Sequence, residues 1–200
     1  MASGELIFVT GLYGAGKSTL VHAALDATDN LEYLKTTTTR PPRPEELEYG
    51  SIEYDFVSQQ AYEKRRATSK RWDHTPVHEH SYGADIDSVN QKLAKGIGII
   101  CCTAPDTDTI DQMSQLYVAP STLVWIDTPL EVANSRLRAS GDADRIRRID
   151  DSLQTEVNAA QVKQLASVVF EPVQDISLDT ANFTQVVQQI LQHGDRTDIL

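Results

Sequence analysis

The sequence predicts an α/β fold in which a mostly parallel sheet carries helices on both faces. Three observations predict it. Apolar runs of strand length alternate with helical segments along the 200 residues. Two of these runs, at 97–102 and 123–126, are continuously apolar, as in strands that are covered on both faces. A glycine-rich turn separates the first apolar run from the helical segment that follows it.

The amino-terminal elements follow from local pattern. The first strand is predicted at 5–10 and its helix at 17–27. A short, half-exposed strand is predicted around 54–56, where Tyr and Phe stand in alternating register. Ser58 is placed to cap a helix that runs to about residue 67.

Helix-start signals recur in the second half of the chain. Asp85 precedes apolar residues at helical spacing, and Gly96 closes that predicted helix. Thr128 and Glu131 form a capping-box pair, with a proline in the first turn between them. A charged helical continuation is predicted from about Ile146.

The carboxy-terminal part predicts a last strand and a last helix. Ile176 and Leu178 stand in alternating register and are interpreted as the last strand. An apolar stripe over 183–191 then predicts a helix, which Gly194 ends, and 195–200 are expected to be a loose tail.

Residues 11–19 read Gly-Leu-Tyr-Gly-Ala-Gly-Lys-Ser-Thr and match the phosphate-binding pattern G-x-x-x-x-G-K-[ST]. Glycines let successive N–H groups point into one concavity, and the following helix adds the positive end of its dipole. Lys17 is expected to reach the β- and γ-phosphates of ATP, and Ser18 to ligate Mg²⁺. The motif therefore predicts a P-loop NTPase core with ATP and Mg²⁺ as cofactors. The expected cofactor-binding residues are Gly11, Gly14, Ala15, Gly16, Lys17, Ser18 and Thr19.

Composition limits the possible partners. The net charge of −11 would repel the backbone of a nucleic acid polymer, although it allows a small nucleotide in a local basic pocket. No apolar run reaches the roughly 20 residues of a membrane span, and no secretory signal is visible. Cys101 and Cys102 are adjacent within a predicted strand, so they are expected to be buried, unpaired thiols of a cytoplasmic protein. No membrane partner is expected, and the protein is expected to be a monomer or a homodimer.

The stretch 36–44 is the most informative one after the phosphate loop. Arg40 and Arg43 stand three residues apart among three prolines, which would stiffen a fork that binds phosphate. A solvated basic loop is the alternative. Tyr54 and Tyr82 could add phenolic donors to the same phosphate.

These stretches resemble the guanylate kinase family. The resemblance is ordered, is correctly spaced from the phosphate loop, and extends over about residues 5–193. It is carried by residues 36–43, 53–58, 77–78, 82–83 and the Arg-Leu pair at 136–137. It implies one domain, 1–200. The core would consist of 1–35, 85–138 and 150–194, the acceptor-binding lobe of about 36–84, and the lid of about 139–149.

The resemblance also implies roles for individual side chains. Arg40, Arg43, Tyr54 and Tyr82 would hold the phosphate of the acceptor. Thr36 and Asp73 would face its base. The residues implied in catalysis, which act on the phosphoryl group in transfer, are Lys17, Arg40, Arg136 and Arg148. A surface salt bridge is the alternative for Arg136.

Departures from the family pattern cluster at the base. Ala84 replaces a Ser or Thr hydroxyl, and Asp73 replaces a Glu that is one methylene longer. The family's D-x-D aligns with 101–103, which read Cys-Cys-Thr, so Asp106 or Asp127 would have to substitute. A pocket that loses polar partners loses selectivity, so the base preference is expected to have weakened or moved.

The predicted activity is transfer of the γ-phosphoryl group of Mg²⁺-ATP to a nucleoside monophosphate, first of all GMP or dGMP. One alternative is a kinase of another phosphorylated metabolite, either another nucleoside monophosphate or ribose 1,5-bisphosphate. A further alternative is a catalytically weak binding module that has kept the guanylate kinase fold.

Overall fold

The computed structural model describes residues 4–43, 46–47, 51–77, 79–103, 107, 111, 115–117, 119–150 and 156–193. Asp106, Gly194 and the expected tail at 195–200 lie outside these ranges. The strands are β1 (Leu6–Thr10), β2 (Leu31–Tyr33), β3 (Thr36–Thr38), β4 (Tyr54–Phe56), β5 (Trp72–Val77), β6 (His80–Asp85), β7 (Gly98–Cys102), β8 (Ser121–Ile126) and β9 (Val168–Phe170).

Helices alternate with these strands along most of the chain. They are α1 (Lys17–Ala27), α2 (Gln59–Thr68), α3 (Ile86–Ala94), α4 (Leu130–Ala139), α5 (Ala143–Arg147), α6 (Glu156–Leu165) and α7 (Ile176–His193). A 3₁₀ turn, Arg148–Asp150, directly follows α5, so the predicted continuation from Ile146 is a short helix that tightens at its end.

The main sheet has five strands in the order β2-β7-β1-β8-β9, and all its pairings are parallel. The predicted α/β fold is confirmed. Alternate residues of β1 enter opposite apolar layers, because successive side chains of a strand point to opposite faces. Val9 packs with Val21 of α1 and Phe183 of α7, whereas Phe8 packs with Leu93 of α3 on the other side.

A second sheet has four strands in the order β4-β3-β6-β5. The β3–β4 pair is parallel, and the other two pairs are antiparallel. Only β4 was predicted from the sequence. Gly83 of β6 lies where a Cβ would run into the carbonyl oxygen of Asp73 and the rings of Trp72 and Tyr62. The absence of a side chain there lets α2 pack tightly on one face of this sheet.

Two predicted helix caps are present. The Ser58 hydroxyl accepts a hydrogen bond from the Ala61 N–H at 3.2 Å. The Asp85 carboxylate accepts from the N–H groups of Asp87 and Ser88. Gly96 adopts φ 81° just beyond α3, the left-handed conformation that glycine favours at the end of a helix.

The last-strand prediction at Ile176 and Leu178 is wrong, because both residues belong to the first turn of α7. The Asp175 carboxylate accepts from the N–H groups of Ser177 and Leu178, at 3.0 and 3.1 Å, and so starts the helix there. The last strand is β9, whose three residues are too few for a periodic signal.

The capping-box prediction at Thr128 is also wrong. The N-cap of α4 is Pro129, and no side chain caps the helix. The buried Thr128 hydroxyl donates instead to the carbonyl oxygen of Ala15, at 3.1 Å. The hydroxyl therefore makes a tertiary hydrogen bond to the phosphate loop and does not cap α4.

Across the described ranges, no helix is long and apolar enough to cross a membrane.

Candidate functional site

The loop between β1 and α1 forms a tight cradle. Gly14 and Gly16 adopt φ 81° and 96°, which side chains disfavour. The Ala15 N–H donates to the Leu12 carbonyl at 3.1 Å and closes the turn. A Cβ on Gly14 would run into the carbonyl oxygen of Ala133 in α4. The loop can therefore hold this shape only with glycine at that position.

Lys17 lies folded along the inside of this loop. Its Nζ donates to the carbonyl oxygens of Gly11 and Leu12, at 2.7 and 2.9 Å. The pKa of Lys17 is lowered to about 8. Burial is the largest cause and Arg148 acts in the same direction, whereas Cys102 and Glu53 oppose the shift. A buried cation held by carbonyl dipoles favours an anion nearby.

Two of the predicted arginines lie against the same loop. Arg136 Nη1 donates to the Ala15 carbonyl at 3.3 Å, and its Nη2 donates to Gln174 Oε1 at 2.9 Å. These partners are carbonyl and amide oxygens, unlike the carboxylate of the surface salt bridge considered above. The guanidinium carbon of Arg148 lies 4.8 Å from the centroid of the Tyr13 ring. Lys17, Arg136 and Arg148 therefore surround the loop.

Strand register decides which side chains share a face of the second sheet. Directly paired residues point to the same side, and side chains alternate along each strand. Thr36 pairs with Tyr54, and Asp73 pairs with Ala84. Tyr82 lies two residues from Ala84 on β6 and therefore faces the same side. The four side chains implied in acceptor binding on this sheet, those of Thr36, Tyr54, Asp73 and Tyr82, thus share one face, called the acceptor face below.

The opposite face of the second sheet is covered by α2. The Tyr62 hydroxyl donates to the carbonyl oxygen of Tyr82 at 2.7 Å and accepts from Trp72 Nε1 at 3.1 Å. Arg65 pairs with the carboxylate of Asp55. These contacts occupy the α2 side, so the acceptor face is the side left for a ligand.

Arg40 lies over the acceptor face in a fixed orientation. Its Nη1 and Nη2 donate to the two carboxylate oxygens of Glu46, at 3.0 and 2.9 Å. Its guanidinium carbon lies 5.1 Å from the ring centroids of both Tyr54 and Phe56. Burial opposes the Arg40 charge, but the hydrogen bond and charge of Glu46 leave its pKa raised. The Arg40 side chain is only 14% exposed, whereas the alternative of a solvated basic loop would leave it largely exposed to water.

Arg43 contributes to the same arrangement through its main chain. Its N–H donates to Glu46 Oε2 at 2.6 Å, and its carbonyl accepts from the Leu47 N–H. Burial opposes ionisation of Glu46, but its bonds to Arg40 and Arg43 lower its pKa. Glu46 thus ties the two predicted arginines together, a role that the sequence did not suggest.

The far end of the acceptor face, where the base is expected, is more enclosed. Burial raises the pKa of Asp73, although His74 lowers it. Ala84 is buried and packs in the core with Ile86. The Tyr117 hydroxyl is buried and has no hydrogen-bond partner among the described residues. Within the described part of the chain, few polar groups therefore lie at this end of the acceptor face.

The end of β7, where the family has its acidic pair, holds a thiol beside the phosphate loop. Cys101 is buried in the apolar layer that contains Phe8 and Leu93, as expected. The half-buried Cys102 side chain lies beside Ser18 and Tyr33, and the Tyr33 hydroxyl accepts from the Cys102 main-chain N–H at 3.2 Å. Burial, and then Glu53, raise the pKa of Cys102 to about 12. Cys101 and Cys102 are both unpaired, as predicted.

Asp127 was one of two acids expected to replace the missing pair. Its carboxylate accepts from Lys163 Nζ at 2.6 Å and from Trp125 Nε1 at 3.0 Å. The partly exposed ion pair with Lys163 occupies this carboxylate. Asp106, the other candidate, lies outside the described residues.

The residues of the loop fit a nucleoside triphosphate and Mg²⁺. Side chains on Gly11 and Gly14 would run into the main chain of Ile126 and Ala133, so these glycines preserve the shape of the cradle, and Ser18 supplies the hard oxygen that Mg²⁺ prefers. Within the described part of the chain, no group of three or more His, Cys, Asp or Glu could hold a metal by itself. Mg²⁺ therefore fits here as an ion held largely by the nucleotide's phosphates.

Comparison with known proteins connects this geometry to one family. The family model described as guanylate kinase matches residues 3–192. A guanylate kinase of Methylobacillus flagellatus is 30% identical over 147 residues, which cover 72% of this chain and 71% of the relative. One of Rubrobacter xylanophilus is 37% identical, although that match spans about half of each chain, 50% and 51%. One of Rickettsia bellii is 26% identical over 94% of this chain and 91% of its own.

Solved structures resemble the chain in fold. The crystal structure of guanylate kinase from Anaplasma phagocytophilum has a TM-score of 0.60 at 15% identity, over 98% of this chain and 90% of that one. A shikimate kinase from Acinetobacter baumannii, in complex with shikimate, has a TM-score of 0.51 at 13% identity, over 96% of each chain. At these identities the likeness concerns the fold alone.

Proposed function

Because the chain belongs to the guanylate kinase family, we propose that it transfers the γ-phosphoryl group of Mg²⁺-ATP to a nucleoside monophosphate, with GMP or dGMP as the preferred acceptor. The observation that carries the proposal is the pairing of a complete phosphate loop with an arginine held rigidly over an acceptor face. The loop with Lys17 would seat the donor phosphates, and Arg40 would seat the phosphate of the acceptor.

The acceptor's own phosphate oxygen is the nucleophile, and it is already anionic, so little general-base help is needed. The difficulty is to bring two polyanions together and to stabilise the charge on the phosphoryl group in transfer. Lys17, Arg136 and Arg148 surround the loop on which that charge would develop. Their cationic groups are positioned before the substrates arrive, which reduces the reorganisation needed for transfer.

Mg²⁺, when bound, would supply positive charge that neutralises the phosphates of the donor. Ser18 is the residue that would ligate it. Arg43, Tyr54 and Tyr82 would complete the seat of the acceptor phosphate. We propose further that the acceptor-binding lobe at about 36–84 and the lid at about 139–149 close over the substrates and exclude water, which would otherwise compete as an acceptor.

Few polar groups of the described residues lie at the end of the acceptor face where the base is expected. This supports a relaxed selectivity for the base. Thr36 and Asp73 would read the base, but Ala84 offers no hydroxyl beside Asp73. A site built on hydrogen bonds rejects the wrong ligand by leaving buried polar groups unpaired, so fewer such groups discriminate less. GMP should therefore be preferred over other nucleoside monophosphates by a smaller margin than a full set of base contacts would give.

A kinase of another phosphorylated metabolite, such as ribose 1,5-bisphosphate, is the second candidate. The observation that favours it is the same small number of polar groups at the base end of the acceptor face, since such an acceptor has no base to recognise. A weak binding module is less well supported, because a module has no use for the complete phosphate loop with its buried Lys17.

The test is a coupled assay of ADP release over GMP, dGMP, AMP, UMP, dTMP and ribose 1,5-bisphosphate. We expect turnover with GMP and dGMP and measurable turnover with other monophosphates. Turnover with ribose 1,5-bisphosphate alone would favour the second candidate. ATP binding without turnover of any acceptor would contradict the proposal, and strictly exclusive GMP turnover would contradict only the relaxed selectivity.

A further inference from the structure

Five side chains meet where α1, the end of β7 and the start of β4 come together, and they are called the Ser18 corner: Ser18, His22, Tyr33, Glu53 and Cys102. Ser18 and His22 lie four residues apart and so share one face of α1. Nε2 of His22 lies 3.2 Å from Oε1 of Glu53. The Cys102 side chain lies beside Ser18 and Tyr33, and the Tyr33 hydroxyl accepts a hydrogen bond from the Cys102 main-chain N–H at 3.2 Å. Glu53, the residue before β4, thus reaches from the second sheet to the helix that carries the predicted magnesium ligand.

Charge is unevenly distributed at this corner. The last residue of β7 is Cys102, which lies beside Ser18, so β7 brings no carboxylate there through this residue. A divalent cation with its bound waters is best held where carboxylate oxygens accept hydrogen bonds from those waters.

Glu53 is the carboxylate that the structure brings to this corner. Its side chain is 18% exposed, so it is held in the interface and still reachable by water. Its Oε1 atom contacts His22, one turn of α1 beyond Ser18, which places the carboxylate close to the end of the phosphate loop. Asp127, in contrast, is committed to Lys163.

We propose that Glu53 supplies, from the second sheet, the carboxylate that holds a water of the Mg²⁺ shell beside Ser18. The proposal rests on the proposed function, because it requires Mg²⁺-ATP on the loop. It also has a consequence for movement. The Glu53 carbonyl accepts from the Thr36 N–H at 2.9 Å, so the carboxylate is attached to the strands of the acceptor face. Binding of Mg²⁺-ATP would therefore draw the second sheet towards the donor site.

The test compares ATP affinity, by calorimetry, in Mg²⁺ and in EDTA for the wild type and for Glu53→Gln. Glutamine keeps the shape and a hydrogen-bonding oxygen for His22 but removes the charge. Removal of a group that orients metal-bound water costs about 10–100-fold in metal affinity. We expect Glu53→Gln to lose at least tenfold of the gain in ATP affinity that Mg²⁺ gives. In EDTA its ATP affinity should equal or exceed that of the wild type, since a negative charge near the phosphates has gone.

Asp55→Asn is the matched control, because Asp55 is a neighbouring acid, within β4, whose carboxylate pairs with Arg65 of α2 and not with α1. It should keep the full magnesium gain. An equal loss of ATP affinity for Glu53→Gln in Mg²⁺ and in EDTA would indicate a structural role and would overturn the proposal. A wild type that binds no ATP under either condition would instead refute the proposed function.

A second variant tests the charge directly. Cys102→Asp brings a carboxylate to Ser18 from β7, and in combination with Glu53→Gln it should restore most of the lost magnesium gain. The melting temperature shows whether the double variant is folded. A folded double variant that is as insensitive to Mg²⁺ as Glu53→Gln alone would overturn the proposal as well.

Discussion

Arg40 and Glu46 form a bidentate ion pair above the rings of Tyr54 and Phe56 on the acceptor face. Both terminal nitrogens of Arg40 donate to the Glu46 carboxylate, at 3.0 and 2.9 Å. The pair fixes a long side chain that would otherwise lose rotamer freedom when a ligand binds. The guanidinium has five donor hydrogens, so the two bonds to Glu46 leave others for a phosphate.

Removal of the Arg40 guanidinium should impair acceptor binding without affecting the donor. Hydrogen bonds to charged groups contribute about 1.5–3 kcal/mol, so Arg40→Ala should lower kcat/KM for GMP by about 10–150-fold. ATP affinity should stay within twofold. Arg65→Ala, on the α2 side of the same sheet, is the control and should leave KM for GMP unchanged. An equal effect of both substitutions would mean that the sheet itself had been disturbed.

Neutralisation of Glu46 should have a smaller effect of the same kind. Glu46→Gln keeps one hydrogen bond to Arg40 but loses the paired charge, so Arg40 becomes less rigid. We expect KM for GMP to rise about 3–10-fold with kcat nearly unchanged, a loss of about one hydrogen bond. Steady-state kinetics checks this. A fall in KM would show that Glu46 competes with the acceptor phosphate for Arg40.

Gly14 and Gly141 provide a matched pair of glycine substitutions. Both have positive φ, 81° and 67°, but a Cβ would clash with the Ala133 carbonyl at Gly14, whereas it meets nothing within 4 Å at Gly141. Gly141→Ala should therefore cost only backbone strain, about 1–2 kcal/mol. Gly14→Ala should in addition displace the loop and abolish detectable ATP binding. Chemical denaturation and calorimetry measure the two effects, and equal ATP affinities in the two variants would refute the packing argument.

Arg136 should act mainly on turnover. Its guanidinium lies against the loop carbonyls and Gln174, so it is placed to stabilise the negative charge that develops on the phosphoryl group during transfer. Arginines in such positions contribute about 10³–10⁵ in kcat, and we expect Arg136→Ala to lower kcat by about 10³-fold with KM values within threefold. Gln174→Ala removes only the neighbouring amide and should keep kcat within threefold. A change confined to KM would assign Arg136 to binding instead.

Asp73 should lower the stability of the folded protein while it contributes to recognition of the base. Burial raises its pKa above the unfolded value, so its ionisation opposes folding, and the stability present at low pH is lost as the pH rises through the folded pKa. Asp73→Asn should therefore melt at a higher temperature than the wild type at pH 7, and the difference should vanish below about pH 4. The same variant should bind GMP more weakly. A melting difference that stays constant between pH 4 and 8 would contradict the sign argument.

Contiguous patterns were the most reliable source of prediction. The phosphate loop follows from nine consecutive residues, because glycine conformation and the start of α1 are local properties. The caps at Ser58 and Asp85 were predicted for the same reason. The strands β3 and β9 were missed, because each has three residues and no aromatic pair in alternating register such as the one that marks the equally short β4. The roles of the individual site residues stay predictions that the experiments above test.

The sequence by itself determined the α/β class, the donor-phosphate loop and the arginine-bearing stretch of the acceptor site, because each depends on neighbouring residues. The tertiary structure alone decided that Glu46 holds Arg40, and that Glu53, which precedes a strand of the second sheet, pairs with His22 of α1. The physical reason is strand register. Register fixes which side chains share a face, and it depends on pairing between segments far apart in the chain.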